Sequence, residues 1–292
     1  GDVMLHARSA GKHGTDPRVL ILGDAAHAYA IDLRTVRVSA KDLPDIAKAV
    51  GHDIKNSFKV LLELGIKLPH IAHDTLVGAF IINSLAKEQS LTDIAARDIG
   101  YEGTLEDLDD DELLEKAAEL VAVLKAEADM QAMQMSEVTR LINLAEVVDW
   151  PVIPVLAGME RTGIKIDPPF FAAFSTDLEG KISDIEQTIY GYADQEFNIS
   201  SPGQLSEILF EKLALPTTFT KKGKAGHFST AVDVLDKLKD IHPIIECIQN
   251  YREYTKLKST YVDTLPKLAD EHDRIHTTFN LTIAATGRLS SI

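Results

Sequence analysis

Arg18-Val19-Leu20-Ile21-Leu22-Gly23-Asp24 is followed, after three residues, by Ala28-Tyr29-Ala30-Ile31-Asp32-Leu33. Both runs are short and aliphatic, and a Gly-Asp turn parts them, so they read as two strands. From about residue 43 the period changes. Ile46, Val50, Ile54, Phe58, Leu61 and Leu62 recur at three- and four-residue steps, which predicts a helix. Gly65 ends that helix, and Ile66-Lys67-Leu68 with the residues after it fits a strand. Asp74 to Leu85 reads as an apolar helix, and Ser90 can cap the next one. Strands followed by alternating helices argue an α/β sandwich.

Further along, Glu102 to Glu115 is acidic and includes Asp109-Asp110-Asp111-Glu112, as a solvated loop leading into a helix N-terminus would be. Residues 113–148 are helical in pattern throughout, and Trp150-Pro151 breaks the pattern and marks a domain boundary. Leu156 to Arg161 closes a helix that Gly163 caps, and Ile164 to Asp167 is a short strand. Pro168-Pro169 opens a helix reaching about Tyr192. Ser200-Ser201-Pro202 starts another, with Leu205, Ile208, Leu209 and Leu213 on one face. Residues 216–230 form a loop carrying Lys221, Lys222, Gly223, Lys224 and Gly226. Pro243 to Leu265 is a long amphipathic helix that buries Ile244, Ile248, Tyr251, Tyr254, Leu257, Tyr261 and Leu265. His276 to Ala284 reads as a strand.

The length, 292 residues, favours two domains. With 45% hydrophobic and 26% charged residues the composition is globular and excludes wholesale disorder. Uncharged apolar stretches fall short of a spanning helix, so no membrane anchor is expected. Gly1 to His13 shows no secretory signal. A single cysteine, Cys247, excludes a disulfide framework and a cysteine zinc cluster. Placed among Ile244, Ile245 and Ile248, it reads as a buried structural thiol in a reducing, cytoplasmic protein. A start at Gly1 and a stop at Ile292 suggest a piece of a longer chain.

Net charge is −15, unevenly spread. Residues 1–150 carry 15 Lys and Arg against 26 Asp and Glu, whereas residues 212–288 carry 12 against 9. A nucleic-acid surface therefore belongs in the last third.

Most motif-like clusters read as ordinary structure. Gly223-Lys224-Ala225-Gly226 lacks P-loop spacing and reads as an exposed loop. His70-Ile71-Ala72-His73-Asp74 lacks a completing ligand and reads as a helix N-cap at Asp74 beside surface histidines. His272-Asp273 and His276 read the same way. Near the end, Lys256-Leu257-Lys258-Ser259-Thr260-Tyr261 lines two amines and two hydroxyls along one helix, as phosphate contacts require. Thr286-Gly287-Arg288-Leu289-Ser290-Ser291 adds a glycine for close approach and one forked donor.

The order and wording of several segments resemble the family A DNA polymerases of bacteria. Met159 to Asp167 looks like the segment that opens the polymerase region, and Phe197 to Leu205 like the next landmark. Thr220-Lys221-Lys222-Gly223, Ser229-Thr230, Tyr251-Arg252, Lys256 to Tyr261, Arg274 to Thr277 and Thr286 to Ser291 follow in family order. The first half is similar to the 3′–5′ exonuclease domain of that family in Gly51 to Asn56, Ile71 to Thr75 and Ile81 to Ser84. The resemblance implies an α/β RNase H-like (exonuclease-like) domain over residues 1–148. Over residues 149–292 it implies a truncated polymerase part: a mainly α-helical thumb with the first palm strand.

An active exonuclease of this kind holds two metal ions on carboxylates. Here Asp2-Val3-Met4 is set at the first motif, Ser57 stands where the second has its Asp, and Val123 and Glu127 fall nearest the third. The implied module does no proofreading, and neither catalytic nor metal-binding residues are assigned in this chain. By resemblance Lys256, Lys258, Ser259 and Thr260 grip the primer–template backbone from the minor-groove side, and Arg288 reaches the minor-groove edge near the primer terminus. Asn280, Thr286 and Ser290 complete the nucleic-acid-binding set. Leu281 replaces the Gln usual after Asn280, and Ala284 replaces a Thr. The palm carboxylates that hold Mg, together with the fingers that hold dNTP, belong beyond Ile292, so this length is expected not to polymerise. A monomer is expected. Two other readings stay open: a working metal-dependent 3′–5′ nuclease using Asp2, Asp53 and Glu127, and a scaffold without DNA contact.

Overall fold

The computed structural model describes residues 2–218, 220–223 and 226–292. The chain divides into two compact units, one formed by residues 1–163 with 276–292 and the other by Ile164–Ile275.

In the first unit, strand β1 (Val3–Ser9) pairs antiparallel with β2 (Pro17–Gly23), which pairs antiparallel with β3 (Ala28–Asp32). On its other edge β1 pairs parallel with β4 (Lys48–Gly51). Helix α1 (Ile54–Glu63) leads to β5 (His70–Asp74), parallel to β4, giving the order β3-β2-β1-β4-β5. The two strands read from the sequence are β2 and β3, while β1 and β4 were not anticipated. Ile46 and Val50 precede α1 rather than belong to it. Three buried residues, Ala49 to Gly51, form most of β4, and so short a run carries no period of its own. Ile66 to Leu68 is not a strand; β5 starts at His70.

Alternation along the strands sends side chains to two cores. Leu5, Leu20 and Leu22 pack with Phe58 and Leu61 of α1 and with Trp150, Ile153 and Ala157. Met4, Val19 and Ile21 pack on the other face. That face is covered by α3 (Leu91–Ile99), α4 (Asp110–Glu115) and α5 (Ala117–Ser136), reached through α2 (Thr75–Ile82). The caps are those the sequence implies. Asp74 accepts from the N–H groups of Leu76 and Val77, Ser90 from Asp93, and the acidic stretch ends in an Asp109–Glu112 capping box.

Trp150-Pro151 does not break the helical run. Helix α6 (Thr139–Leu144) passes through a π turn, Ala145–Asp149, into α7 (Trp150–Thr162). The Trp150 N–H bonds to Ala145, five residues back, so the wider turn accommodates a proline that could not donate in an α-helix. The run Thr139–Thr162 is 24 residues long and holds an 18-residue window with a mean hydropathy of 1.4, enough by length and composition alone to cross a membrane, but it is interrupted by Arg140, Glu146, Asp149, Glu160 and Arg161, so its uncharged stretches stay short. Its Trp150, Ile153, Leu156 and Ala157 are instead buried in the protein, and Glu160 sits in an ion cluster. Gly163, with φ 63°, ends α7 through its N–H to Met159.

The second unit is mainly helical. β6 (Ile164–Lys165) leads into α8 (Pro168–Ala193), where Asp167 caps at the Phe170 N–H. α9 (Pro202–Ser206), capped by Ser201, runs into a π segment, Glu207–Lys212. α10 (Val232–Leu238) and α11 (Ile244–Lys256) close the core with Ile189, Leu205, Leu209, Leu235, Leu238 and Ile248. Lys224 and Ala225 of the glycine-rich loop lie outside the described residues. β7 (Arg274–Ile275) pairs with β6.

Returning to the first unit, β8 (Phe279–Asn280) pairs with β9 (Ser290–Ser291). The long strand expected over His276 to Ala284 is thus only two residues. Residues 281–283 bend instead, where Leu281 turns onto the first core and Thr282 is buried.

Candidate nucleic-acid interface

Helix α11 does not continue as an α-helix to Leu265. It passes into a π segment, Leu257–Val262, closed by the Asp263 N–H on the Lys258 carbonyl at 2.9 Å. The wider turn shifts the apolar register. Val262 goes inside and Tyr261, expected inside, is 49% exposed. The same shift leaves Lys256, Ser259 and Thr260 exposed. Ser259 donates to the Thr255 carbonyl at 2.8 Å. Lys258 is only half-exposed. Its ammonium lies 2.9 Å from Asp263, which also accepts from Ser175 at 2.7 Å. That pair raises Lys258 and lowers Asp263, so Lys258 meets an anion only by sharing or leaving Asp263.

The remaining expected contacts lie on the hairpin of the first unit. Asn280 and Ser290 stand directly opposite each other across β8 and β9. Thr278 and Ile292 exchange two N–H···O bonds of 3.1 Å. Thr286, Gly287 and Arg288 form the exposed connection, where Gly287 has φ 75° and donates to Ala284 at 2.8 Å. Leu281, in place of an amide, packs half-buried against the first core. The eight expected residues therefore form two groups, Lys256 to Thr260 on one unit and Asn280 to Ser290 on the other.

Acids of the first half do not gather as metal ligands. Asp2 is exposed at the head of β1. Asp53 precedes α1 with φ 45° and accepts from the Asn56 amide. Glu127, on α5, is buried and accepts from Gln131 at 2.8 Å. Burial, then the Asp98 carboxylate, pushes Glu127 up to about 7. Among the described residues no three His, Cys, Asp or Glu side chains group as a metal site, so the chain's own acids do not fit a two-ion pair.

Ser57 accepts the Ala7 N–H at 2.9 Å. The residue of β1 that meets Ser57 is thus Ala7, not Asp2, Val3 or Met4. A polar cavity of about 320 Å³ opens there, with His6, Arg8, Ser9, His13, Asn56 and Lys59 in its walls. Of the paired histidines, His70 is exposed but His73 is buried, 2.7 Å from Gln131. Asp74, besides capping α2, accepts the Ile54 N–H at 2.7 Å. Burial and the Asp53 carboxylate push it up to about 7 against those three N–H groups.

One cluster was missed by sequence reasoning. Lys55 and Lys59, one turn apart on α1, reach the wholly buried Glu160 carboxylate at 2.6 and 2.7 Å. Glu160 also accepts the Phe279 N–H at 2.8 Å, and Lys55 donates to the Phe279 carbonyl. Two lysines at i and i+4 on an apolar helix were the available signal.

Comparison with known proteins agrees with the wording of the second half. Residues 169–292 match the DNA polymerase family A model. DNA polymerase I of Bacillus subtilis is 35% identical over 251 residues, 82% of this chain and 28% of that protein. The thermostable DNA polymerase I of Thermus thermophilus is 44% identical over 153 residues, 52% of this chain and 18% of that protein. The chain therefore spans less than a third of the length of these relatives. The POL domain of Pol1 from M. smegmatis, solved in complex with DNA primer-template and dNTP, superposes with a TM-score of 0.76 at 28% identity, covering 99% of this chain and 50% of that one. This chain is homologous to the bacterial DNA polymerases I over most of its length, and its residues 169–292 belong to DNA polymerase family A.

Proposed function

We propose that the chain is the duplex-holding part of a DNA-directed DNA polymerase, coupled to an exonuclease-like domain that does not proofread. In this reading residues 1–148 are an RNase H-like module and residues 149–292 are the thumb and the start of the palm. The carrying observation is the exposure of Lys256, Thr260 and Arg288 within the length that matches family A. A mobile ammonium and a forked guanidinium neutralise phosphates and reach groove edges without selecting sequence. Primer–template DNA is the partner, with dNTP and magnesium used by the complete polymerase. The chain acts as a cytoplasmic monomer.

Ser57, whose hydroxyl accepts the Ala7 N–H where the family's second motif has an Asp, and Arg8 one residue further along β1 support the loss of exonuclease activity, because a hydroxyl supplies no charge and a guanidinium repels a divalent cation. The binding claim is tested by anisotropy of a labelled primer–template titrated with the chain at rising NaCl. Affinity should fall steeply as phosphate neutralisation is screened. Salt-independent binding, or none at low salt, overturns the reading.

A further inference from the structure

The position of Phe279 in its hairpin explains the buried ion cluster. Thr278 and Ile292 are a hydrogen-bonded pair, so the next pair, Phe279 and Ser291, points its main-chain groups away from each other. The outward N–H and C=O of Phe279 would ordinarily require a third strand. Among the described residues none pairs there; β8 belongs to a two-stranded sheet. Instead the Glu160 carboxylate takes the N–H and the Lys55 ammonium takes the C=O. A carboxylate and an ammonium, themselves 2.6 Å apart, thus offer the acceptor and donor that a neighbouring residue's backbone would offer.

Two further bonds hold the same segment. His276 Nδ1 lies 2.7 Å from the Glu160 carbonyl. Thr282 is held twice by Gln89, at 2.7 Å through its carbonyl and 2.9 Å through its hydroxyl. Asn280 lies between these anchors, and its partner Ser290 is two residues from Arg288. A buried charge cluster is a poor source of stability compared with apolar packing, but it fixes geometry along defined directions.

We propose that Glu160 and Lys55 are positioning residues that act as a surrogate strand for Phe279, holding the Asn280–Ser290 hairpin so that Arg288 meets duplex DNA in one orientation. The inference rests on the DNA-binding reading above. It gives the exonuclease-like module a use that requires no metal: it is the base on which the DNA-facing hairpin is mounted.

The test uses the whole 292-residue chain. Lys55→Met removes the donor to Phe279 while leaving Lys59 to pair with Glu160. Hydrogen exchange and primer–template anisotropy are measured on the same samples. Exchange of the amides of residues 278–292 should quicken about tenfold, with the amides of β1 to β5 unchanged. The dissociation constant should rise about tenfold with the slope against salt unchanged, because no phosphate contact is removed. Gln89→Ala, which releases Thr282, should move the same amides and the affinity in the same direction, and it serves if Lys55→Met does not fold. Faster exchange with unaltered affinity, or unaltered exchange, overturns the proposal. If Arg288→Ala weakens binding and both positioning variants do not, only the positioning role falls. If Arg288→Ala and Lys256→Ala also leave binding unchanged, the DNA-binding reading falls and takes this one with it.

Discussion

The carboxylate of Glu160, near the end of α7, lies 2.6 Å from the ammonium of Lys55, at the start of α1, and both side chains are buried. Residues 105 positions apart in the chain thereby meet in the interior of the α/β unit. Lys59 adds a second positive charge, and the nearby Asp53 carboxylate acts against the excess.

Removing Glu160 should be costly. Glu160→Ala strands two buried ammonium groups and frees the main-chain N–H of Phe279, which should lower stability by about 3–5 kcal/mol. Urea denaturation followed by circular dichroism reads this directly. A loss below about 1 kcal/mol would show the cluster to be hydrated.

Acid should act through the same residue. Burial works against its charge, yet the Lys55 and Lys59 ion pairs and the Phe279 N–H hold Glu160 below the usual carboxylate range. A carboxyl that is lowered in the folded state stabilises above its unfolded value and loses that contribution as pH falls through its folded value. In Glu160→Gln the acid limb of the stability profile should flatten below about pH 4.5. An unchanged limb would mean that other carboxylates carry it.

Glu127 should behave in the opposite sense. Raised to about 7, it binds its proton more tightly folded than unfolded. Its contribution is therefore complete below the ordinary glutamate range and is lost as pH rises from about 4.5 to 7. Glu127→Gln should remove that slope and stabilise the chain at pH 8 by about 1–3 kcal/mol. Thermal melts across that range would expose the error if the variant were less stable at pH 8.

Binding should separate the two groups of candidate contacts. Lys256→Ala should cut the slope of log affinity against log salt by about 1, whatever the DNA sequence. Lys258→Ala should have a smaller effect, because its ammonium already pairs with Asp263. Equal effects would mean that Lys258 leaves Asp263 when DNA arrives.

Labelled single-stranded DNA incubated with the chain and magnesium or manganese should keep its length. Shortening that vanishes in Asp2→Ala would restore the nuclease reading.

Much of the local structure was legible because it rests on short-range chemistry. Asp74, Ser90, Asp109 and Ser201 cap the helices they precede, since an N-cap oxygen needs only N–H groups two or three residues on. Errors fell where tertiary contact overrode pattern. Ile46 and Val50 matched a helical period but precede α1, and Tyr261 matched the apolar stripe of α11 before a π turn moved it out. Trp150-Pro151 looked like a break because a proline opposes an α-helix, but not a turn whose bond skips one residue further.

The family wording of residues 151–292, the strands β2 and β3 and the capped helices all followed from the order of residues alone, because each depends on neighbours in the chain. Which residue of β1 faces Ser57, and which side chains complete the main-chain bonding of Phe279, depended on the folded chain. Partners fifty and more than a hundred positions apart have no period or spacing between them, and only burial decides that a charged group must find its counterpart there.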